Sequence, residues 1–253
     1  MFWIKRKEIV VDAFINDASF LKYGSPVKAS EYIPEWFKLV PKELENTTNY
    51  GLKFNQETIR QCIGFNDLYK EGFILPLWQE VIIETDADGK YIWVSADLNK
   101  HASDNPLISD HPKKQWWNNS MRDVIHLKIN SPWKFVEKTG IKFMCIEPSW
   151  NHLEEPFDLC VLPGIVQFNA QHSTNINMLA PCVKQRIEIS LGTPMWHVIP
   201  LSEHKVEIKN HLLDDLEYSK MFKQTRVTFK ANHILKRKSA NAPEKKCPFG
   251  FGK

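Results

Sequence analysis

Apolar and polar residues alternate along much of the chain, which is the pattern of half-buried β-strands. Residues 8–15 read EIVVDAFI and predict a first strand. Farther on, FILPLWQEVIIET leads into the turn signal ADGK, and YIWVSAD alternates back, so this region predicts a hairpin. The segments DVIHLKI, PWKFVEK and IKFMCIE, with Thr139-Gly140 between the last two, predict another strand and a second hairpin.

The same pattern continues through LCVLPGIVQFN, NINMLA, QRIEISL and MWHVIPL, and HKVEIK follows as a predicted edge strand. Many short strands separated by Gly, Pro and Asn turns are typical of antiparallel sandwiches and jelly rolls rather than of parallel α/β sheets. We therefore expect a mainly β (α+β) protein with an antiparallel β-sandwich or jelly-roll-like core.

Apolar residues at helical spacing occur near the N-terminus and predict two helices that cover a sheet. The first is SEYIPEWFKLV, with Ser30 as cap and Pro34 in the opening turn. The second is ETIRQCIGFNDLYKEG, which ends at Gly72 and has a predicted inward face of Ile59, Cys62, Ile63 and Leu68. A third predicted helix begins at Asn210 and continues into a basic tail.

These elements predict one β-rich domain over residues 1–209, with N-terminal helical elements in 1–72 and a β core in 73–209. Residues 210–253 are predicted to form the C-terminal helix and basic tail.

The composition and the cysteine content indicate where the protein is located. The 253 residues are 43% apolar and 25% charged, without an apolar run long enough to cross a bilayer, so we expect a soluble protein with no membrane partner. Five cysteines form an odd set without a C-x-x-C pair, which argues against a disulfide framework and a zinc ribbon. A cytoplasmic location is the resulting expectation.

Charge is distributed unevenly along the chain. Residues 220–253 hold ten Lys or Arg and one Glu, a net charge of +9, so the rest of the chain carries −6 of the total of +3. Such a tail predicts an anionic partner, either nucleic acid or an acidic protein surface. The predicted contact residues are Lys230, Lys236, Arg237 and Lys238. A solvated basic helix without a partner is the alternative.

The segment SWNHLEEPF contains His152-x-Glu154, the spacing of a metal half-site. Iron(II) oxygenases on double-stranded β-helix folds bind the metal with two His and one carboxylate. His197, in MWHVIPL, or His211 would supply the distal histidine, which predicts an Fe(II) or other divalent-metal enzyme. The alternative interpretation is that His197 is a hydrogen-bonded core residue and His152 lies in a turn.

A long segment without periodicity, residues 97–122, offers a second set of polar side chains. Its candidate ligands for a divalent ion and its stacking side chains are His101, Asp104, Asp110, His111, Trp116 and Trp117. An exposed polar loop is the alternative.

The segment RIEISLGTPMWHVIPL resembles the late core of the dUTPase and dCTP deaminase family, and Gly250-Phe251-Gly252 resembles that family's Gly-rich tail. The family's Gly-Arg-Ser-Ser phosphate motif is absent, and LPGIVQFNAQ lacks the Asp that activates water there. The resemblance thus implies a shared topology and, as an alternative function, nucleotide binding.

A further resemblance covers most of the chain. TIRQCIGFNDLYKEGFILPLW, SPWKF, EPSWN, EEPFDLCVLPGIVQFN and GTPMWHVIPL resemble a family of uncharacterised proteins from tailed phages, notably marine cyanophages, and from bacteria. Bacterial members of that family have Arg near the position of His152 and Asp near that of Glu155. The resemblance therefore implies that these two residues form a polar or ionic contact at the mouth of a β-sandwich rather than a metal site. His172 is a further candidate for this polar site.

Taken together, the leading prediction is a phage accessory or virion-associated protein in the host cytoplasm or the virion. It would act as a binding module for an anionic or protein partner.

Overall fold

The computed structural model describes residues 8–95, 106–112, 115, 123–153 and 158–222. With strands numbered along the chain, a six-stranded sheet contains β1 (Glu8–Ile15), β8 (Ile108–Asp110), β9 (Val124–Val136), β11 (Cys160–Val161), β13 (Ser173–Pro181) and β16 (Lys205–Leu212). A five-stranded sheet contains β2 (Val27–Lys28), β5 (Phe73–Pro76), β10 (Phe143–Ile146), β12 (Gly164–Val166) and β15 (Pro194–Pro200).

Two smaller sheets complete the β structure of the described residues. A three-stranded sheet contains β6 (Val81–Thr85), β7 (Tyr91–Ser95) and β14 (Gln185–Ile189), and a two-stranded sheet contains β3 (Glu43–Thr47) and β4 (Lys53–Glu57). The helices are α1 (Ala18–Tyr23), α2 (Glu35–Leu39), α3 (Ile63–Leu68) and α4 (Asp215–Phe222), with short 3₁₀ helices at Ala29–Tyr32, Ile59–Gln61 and Ser149–His152. None of the helices in the described part of the chain is long and apolar enough to cross a membrane.

The strand orders are β11-β13-β9-β1-β16, with β8 also on β9, in the six-stranded sheet and β12-β10-β15-β5-β2 in the five-stranded sheet. The neighbouring strands pair antiparallel except for β1 and β16, which are parallel. The expected mainly β, antiparallel fold is confirmed, and β16 lies at a sheet edge as predicted.

One apolar core lies between the two large sheets. Every second residue of β1, including Val11, Ala13 and Ile15, is buried against it, as the alternation in the sequence predicts. Phe135 of the six-stranded sheet stacks on Phe73 of the five-stranded sheet, with ring centroids 5.6 Å apart. This contact places the inner faces of the two sheets against each other, which is sandwich packing.

The helices α2 and α3 cover the outer face of the five-stranded sheet. Phe37, Phe65 and Tyr69 are buried in a second apolar cluster, and the Tyr69 ring lies 5.9 Å from the ring of His197 in β15. The predicted helical cover is therefore present. Its inward face agrees with the prediction in part. Ile59 and Leu68 pack against this cluster as predicted, whereas Cys62 and Ile63 are exposed and Phe65 and Tyr69 are buried in their place.

The predicted helix around residues 30–40 is divided in two by Pro34. A 3₁₀ helix ends at Tyr32, and Pro34 takes the N-cap position of α2, with an extended ψ of 142°. A residue before proline avoids the α region, so Ile33 ends the first piece. Ser30 consequently lies inside the 3₁₀ helix rather than at a cap.

The segments on either side of Pro132, predicted as two separate strands, form one continuous strand, β9. The β9–β13 register shifts between Ser173 and Asn175, opposite residues 131–133, so no ladder bond is required of Pro132. The predicted hairpin at Thr139-Gly140 is also wrong. That turn carries the chain from β9 in one large sheet to β10 in the other.

On the outer face of the six-stranded sheet lies α4. The Tyr218 hydroxyl donates to the Pro132 carbonyl at 2.6 Å, and Phe222 contacts Phe14 with ring centroids 5.6 Å apart. The predicted cap was Asn210, but Asn210 lies in β16, and the Asp214 carboxylate accepts the Glu217 N–H at 2.8 Å.

Candidate functional site

The Ser149–His152 helix, which contains the histidine of the predicted half-site, packs on the N-terminal helices. The Tyr69 hydroxyl donates to Oδ1 of Asn151 at 2.5 Å, and Nδ2 of Asn151 donates to the Tyr32 carbonyl at 2.8 Å. The Trp36 indole donates to the Trp150 carbonyl at 3.0 Å. This short helix therefore joins the helical cover to the sandwich.

His152 and His197 each hydrogen-bond a different backbone carbonyl. Nε2 of His152 lies 3.1 Å from the Pro194 carbonyl oxygen, and Nε2 of His197 lies 2.8 Å from the Glu71 carbonyl oxygen. A carbonyl oxygen can only accept a hydrogen bond, so Nε2 of each ring carries the proton and cannot bind a metal in this arrangement, and the lone pair of the neutral ring is on Nδ1. Burial lowers the pKa of both imidazoles, opposed at His152 by the nearby Glu147.

No group of three or more His, Cys, Asp or Glu side chains that could hold a metal occurs within the described ranges. Glu154 and Glu155 lie outside those ranges, so the metal site and the His152–Glu155 polar pair stay predictions. His211, the other possible distal ligand, hydrogen-bonds Asp12 at 2.8 Å on the six-stranded sheet.

His172 contacts the six-stranded sheet and α4. Its Nδ1 hydrogen-bonds the Phe135 carbonyl at 2.9 Å and its ring contacts Phe222 of α4, whereas His152 contacts β15 of the other large sheet. These two hydrogen bonds are to different sheets, and the polar site of His152, Glu155 and His172 stays a prediction because Glu155 lies outside the described residues.

The long polar segment is described only in part. His111 hydrogen-bonds Gln115 at 2.5 Å, and Asp110 accepts the Tyr91 hydroxyl at 3.1 Å. Burial, with the adjacent Asp110, raises the pKa of Tyr91 to about 12. His101, Asp104, Trp116 and Trp117 lie outside the described residues, as do the tail residues Lys230, Lys236, Arg237 and Lys238.

A feature that the sequence reasoning missed is the β3–β4 hairpin. Pairing in register places Leu44 opposite Gln56 and Asn46 opposite Phe54, so these side chains share one face. Leu52, directly before β4, continues the alternation on that face. We call Leu44, Leu52 and Phe54 the hairpin face. All three are exposed, by 55%, 68% and 44% respectively.

The opposite side of the hairpin is charged. Glu43 is directly opposite Glu57, and Lys53 forms an ion pair with Glu45 at 2.7 Å. Three carboxylates and one ammonium give this side a net charge of −2. The hairpin is thus amphipathic, with its apolar side exposed to solvent.

A backbone hydrogen bond closes the base of the hairpin, where the Thr58 N–H donates to the Lys42 carbonyl at 3.0 Å. Directly beyond it, the Arg60 guanidinium donates to the Phe37 carbonyl at 3.0 Å and joins the two helical segments that flank the hairpin. Gly51, in the connecting turn, has φ of +78°. The alternation in LEN and LKF around a Thr-Asn-Tyr-Gly turn is the sequence signal that could have identified this hairpin.

A pocket of about 330 Å³ lies beside α1, with Ser19, Tyr23, Trp78 and Leu191 in its wall. This volume is at the lower limit of small-molecule sites. The hairpin is a more specific feature, because an exposed apolar face on a two-stranded sheet requires a physical explanation.

Comparisons with protein families, with curated proteins and with solved structures give no match for this chain.

Proposed function

We propose that the protein is a binding module that docks onto a protein partner through the hairpin face. The observation that carries this proposal is the exposure of Leu44, Leu52 and Phe54 on one side of a hairpin whose other side is charged. A two-stranded hairpin is at best marginally stable in water, and burial of its apolar face against a partner would stabilise it.

The edges of the hairpin support the same function. Within the described strands, β3 and β4 pair only with each other, so each has a free row of backbone N–H and C=O groups. Such an edge is a template for an added strand, which combines main-chain hydrogen bonds with side-chain contacts. The resemblance to phage proteins supports an accessory or virion-associated setting for this binding.

The proposal is tested by sedimentation of the fluorescently labelled full chain, alone and in concentrated extract of the cells that produce it. The test variant is Leu44→Thr with Phe54→Thr. The matched control is Ile92→Thr with Val94→Thr, because these two apolar residues are also exposed and lie on a strand at a sheet edge, β7.

In extract, we expect the unsubstituted chain and the control variant to sediment faster than a 29.6-kDa monomer. The hairpin variant should sediment as a monomer in the same extract. Both variants should keep the circular dichroism spectrum of the unsubstituted chain, because the replaced side chains are exposed. Equal sedimentation of the hairpin variant and the unsubstituted chain would contradict the proposal.

A further inference from the structure

We propose that the partner of the hairpin is residues 225–231 of a second copy of this chain, added as a strand along the free edge of β3. The inference rests on the proposed function of the hairpin and names its partner.

The first support is the match between two amphipathic patterns. Residues 225–231 read TRVTFKA, in which Val227 and Phe229 alternate with Arg226, Thr228 and Lys230. As a strand, this segment would have one apolar and one basic face. Paired with β3, Val227 and Phe229 would extend the hairpin face.

The second support is charge complementarity on the other side. The charged side of the hairpin has a net charge of −2, and Glu43 is directly opposite Glu57, a like-charge pair that is destabilising. In a register that places one of Arg226 and Lys230 directly beside Glu43, the other lies two residues past Glu45, within reach of its carboxylate across the diagonal. Residues 220–253 carry +9, so the tail as a whole is also attracted to this acidic side.

The choice of β3 over β4 follows from the same charges. On the charged side, β3 presents Glu43 and Glu45, whereas β4 presents Lys53 and Glu57, which cancel. A basic strand is therefore attracted to the β3 edge more strongly than to the β4 edge.

The third support concerns reach and selects a second copy over the same chain. α4, which ends at Phe222, lies on the outer face of the six-stranded sheet, and the hairpin begins in the helical cover on the outer face of the five-stranded sheet. Two packed sheets with a layer on each side place those outer layers roughly 30 Å apart. The six residues from Phe222 to Thr228 span at most about 21 Å when extended.

If the tail of each copy pairs with the hairpin of the other, no hairpin and no tail in the pair of chains is left without a partner. The expected assembly is therefore a symmetric dimer. Because part of the attraction is between exposed charges, its dissociation constant should increase with ionic strength.

The inference is tested by charge reversal in the full chain, with the dimer dissociation constant measured by sedimentation equilibrium. We expect Glu43→Lys with Glu45→Lys to increase the constant at least tenfold, and Arg226→Glu with Lys230→Glu to do the same. All four substitutions together should restore it to within threefold. Lys245→Glu with Lys246→Glu, an equal charge change elsewhere in the tail, should leave it within threefold.

The inference would be overturned if the unsubstituted chain were monomeric at 100 times the concentration at which its binding in extract is saturated. It would also be overturned if the variant with all four substitutions failed to recover the dissociation constant of the unsubstituted chain. These results are distinct from failure of the proposed function. If Leu44→Thr with Phe54→Thr abolishes association in extract while the Arg226 and Lys230 reversal changes nothing, the hairpin binds a different protein and only the present inference falls.

Discussion

Asn151 connects the sandwich to its helical cover, so its replacement by alanine should separate a structural role of the SWNH segment from a catalytic one. Its amide accepts from the Tyr69 hydroxyl at 2.5 Å and donates to the Tyr32 carbonyl at 2.8 Å. Asn151→Ala removes both bonds without changing the fold of the short helix around it.

The expected cost follows from the burial of the groups left behind. Tyr69 is 1% exposed, and burial raises its pKa, so its hydroxyl has little access to water. A buried polar group that loses its partner costs about 1–3 kcal/mol. The Tyr32 carbonyl is only partly buried and adds less, so we expect the free energy of unfolding to fall by about 2–3 kcal/mol.

Urea unfolding followed by circular dichroism measures this change. Asn55→Ala is the control, because Asn55 also uses its amide in a side-chain hydrogen bond, to Glu43 at 3.0 Å, but on the exposed hairpin. That variant should lose less than about 0.5 kcal/mol. Tyr69→Phe should be destabilising, and combined with Asn151→Ala it should cost less than the sum of the two. A loss below about 0.5 kcal/mol in Asn151→Ala would refute the structural role.

Two further predictions concern pH and backbone geometry. His197 is buried, and burial lowers its pKa. The unfolded chain therefore takes up a proton near the ordinary pKa of about 6.5, before the folded chain does, so the free energy of unfolding falls as the pH drops below that value. From pH 7.5 to 5.5 the unsubstituted chain should lose about 1 kcal/mol more stability than His197→Gln, measured by urea unfolding at each pH, and equal losses would contradict this assignment. Gly72 and Gly51 both have positive φ, but a Cβ at Gly72 would lie 1.9 Å from the Val198 carbonyl oxygen, whereas a Cβ at Gly51 would meet open space. We therefore expect Gly72→Ala to lower the free energy of unfolding by about 3 kcal/mol or more and Gly51→Ala by about 1 kcal/mol. Equal melting temperatures for the two variants would show that the close approach at Gly72 is not important.

Local patterns predicted the strands well because each strand has one side in the core. Val11, Ala13 and Ile15 are buried at every second position, and the turn before Lys90 joins β6 to β7 as expected. Which strands share a sheet was not predictable in this way. The turn at Thr139-Gly140 has the letters of a hairpin, yet the strands on either side belong to different sheets, because their partners are distant in sequence.

The face of α3 shows a second limit. Cys62 and Ile63 fit a helical stripe as well as Phe65 and Tyr69 do, since periodicity gives the spacing of a face and not its direction. The direction is decided by the β15 side chains beneath, where Tyr69 meets His197.

The candidate site shows a third limit. His152 hydrogen-bonds the carbonyl of Pro194, 42 residues away, and no local motif such as His152-x-Glu154 identifies a contact of this kind. The β3–β4 hairpin had a readable turn and alternation. These strands do not have the sequence pattern of core strands, because Leu44, Leu52 and Phe54 are separated by polar residues and do not form a continuous apolar run.

The central claim is that the hairpin face is covered by protein when the chain functions. A photoreactive benzophenone side chain in place of Phe54, with the same probe in place of exposed Ile92 as the control, tests it directly in cells that produce the full chain. The account predicts a discrete covalent protein adduct from position 54 and little from position 92. Cross-linking at position 54 that is no stronger than at position 92 would contradict it.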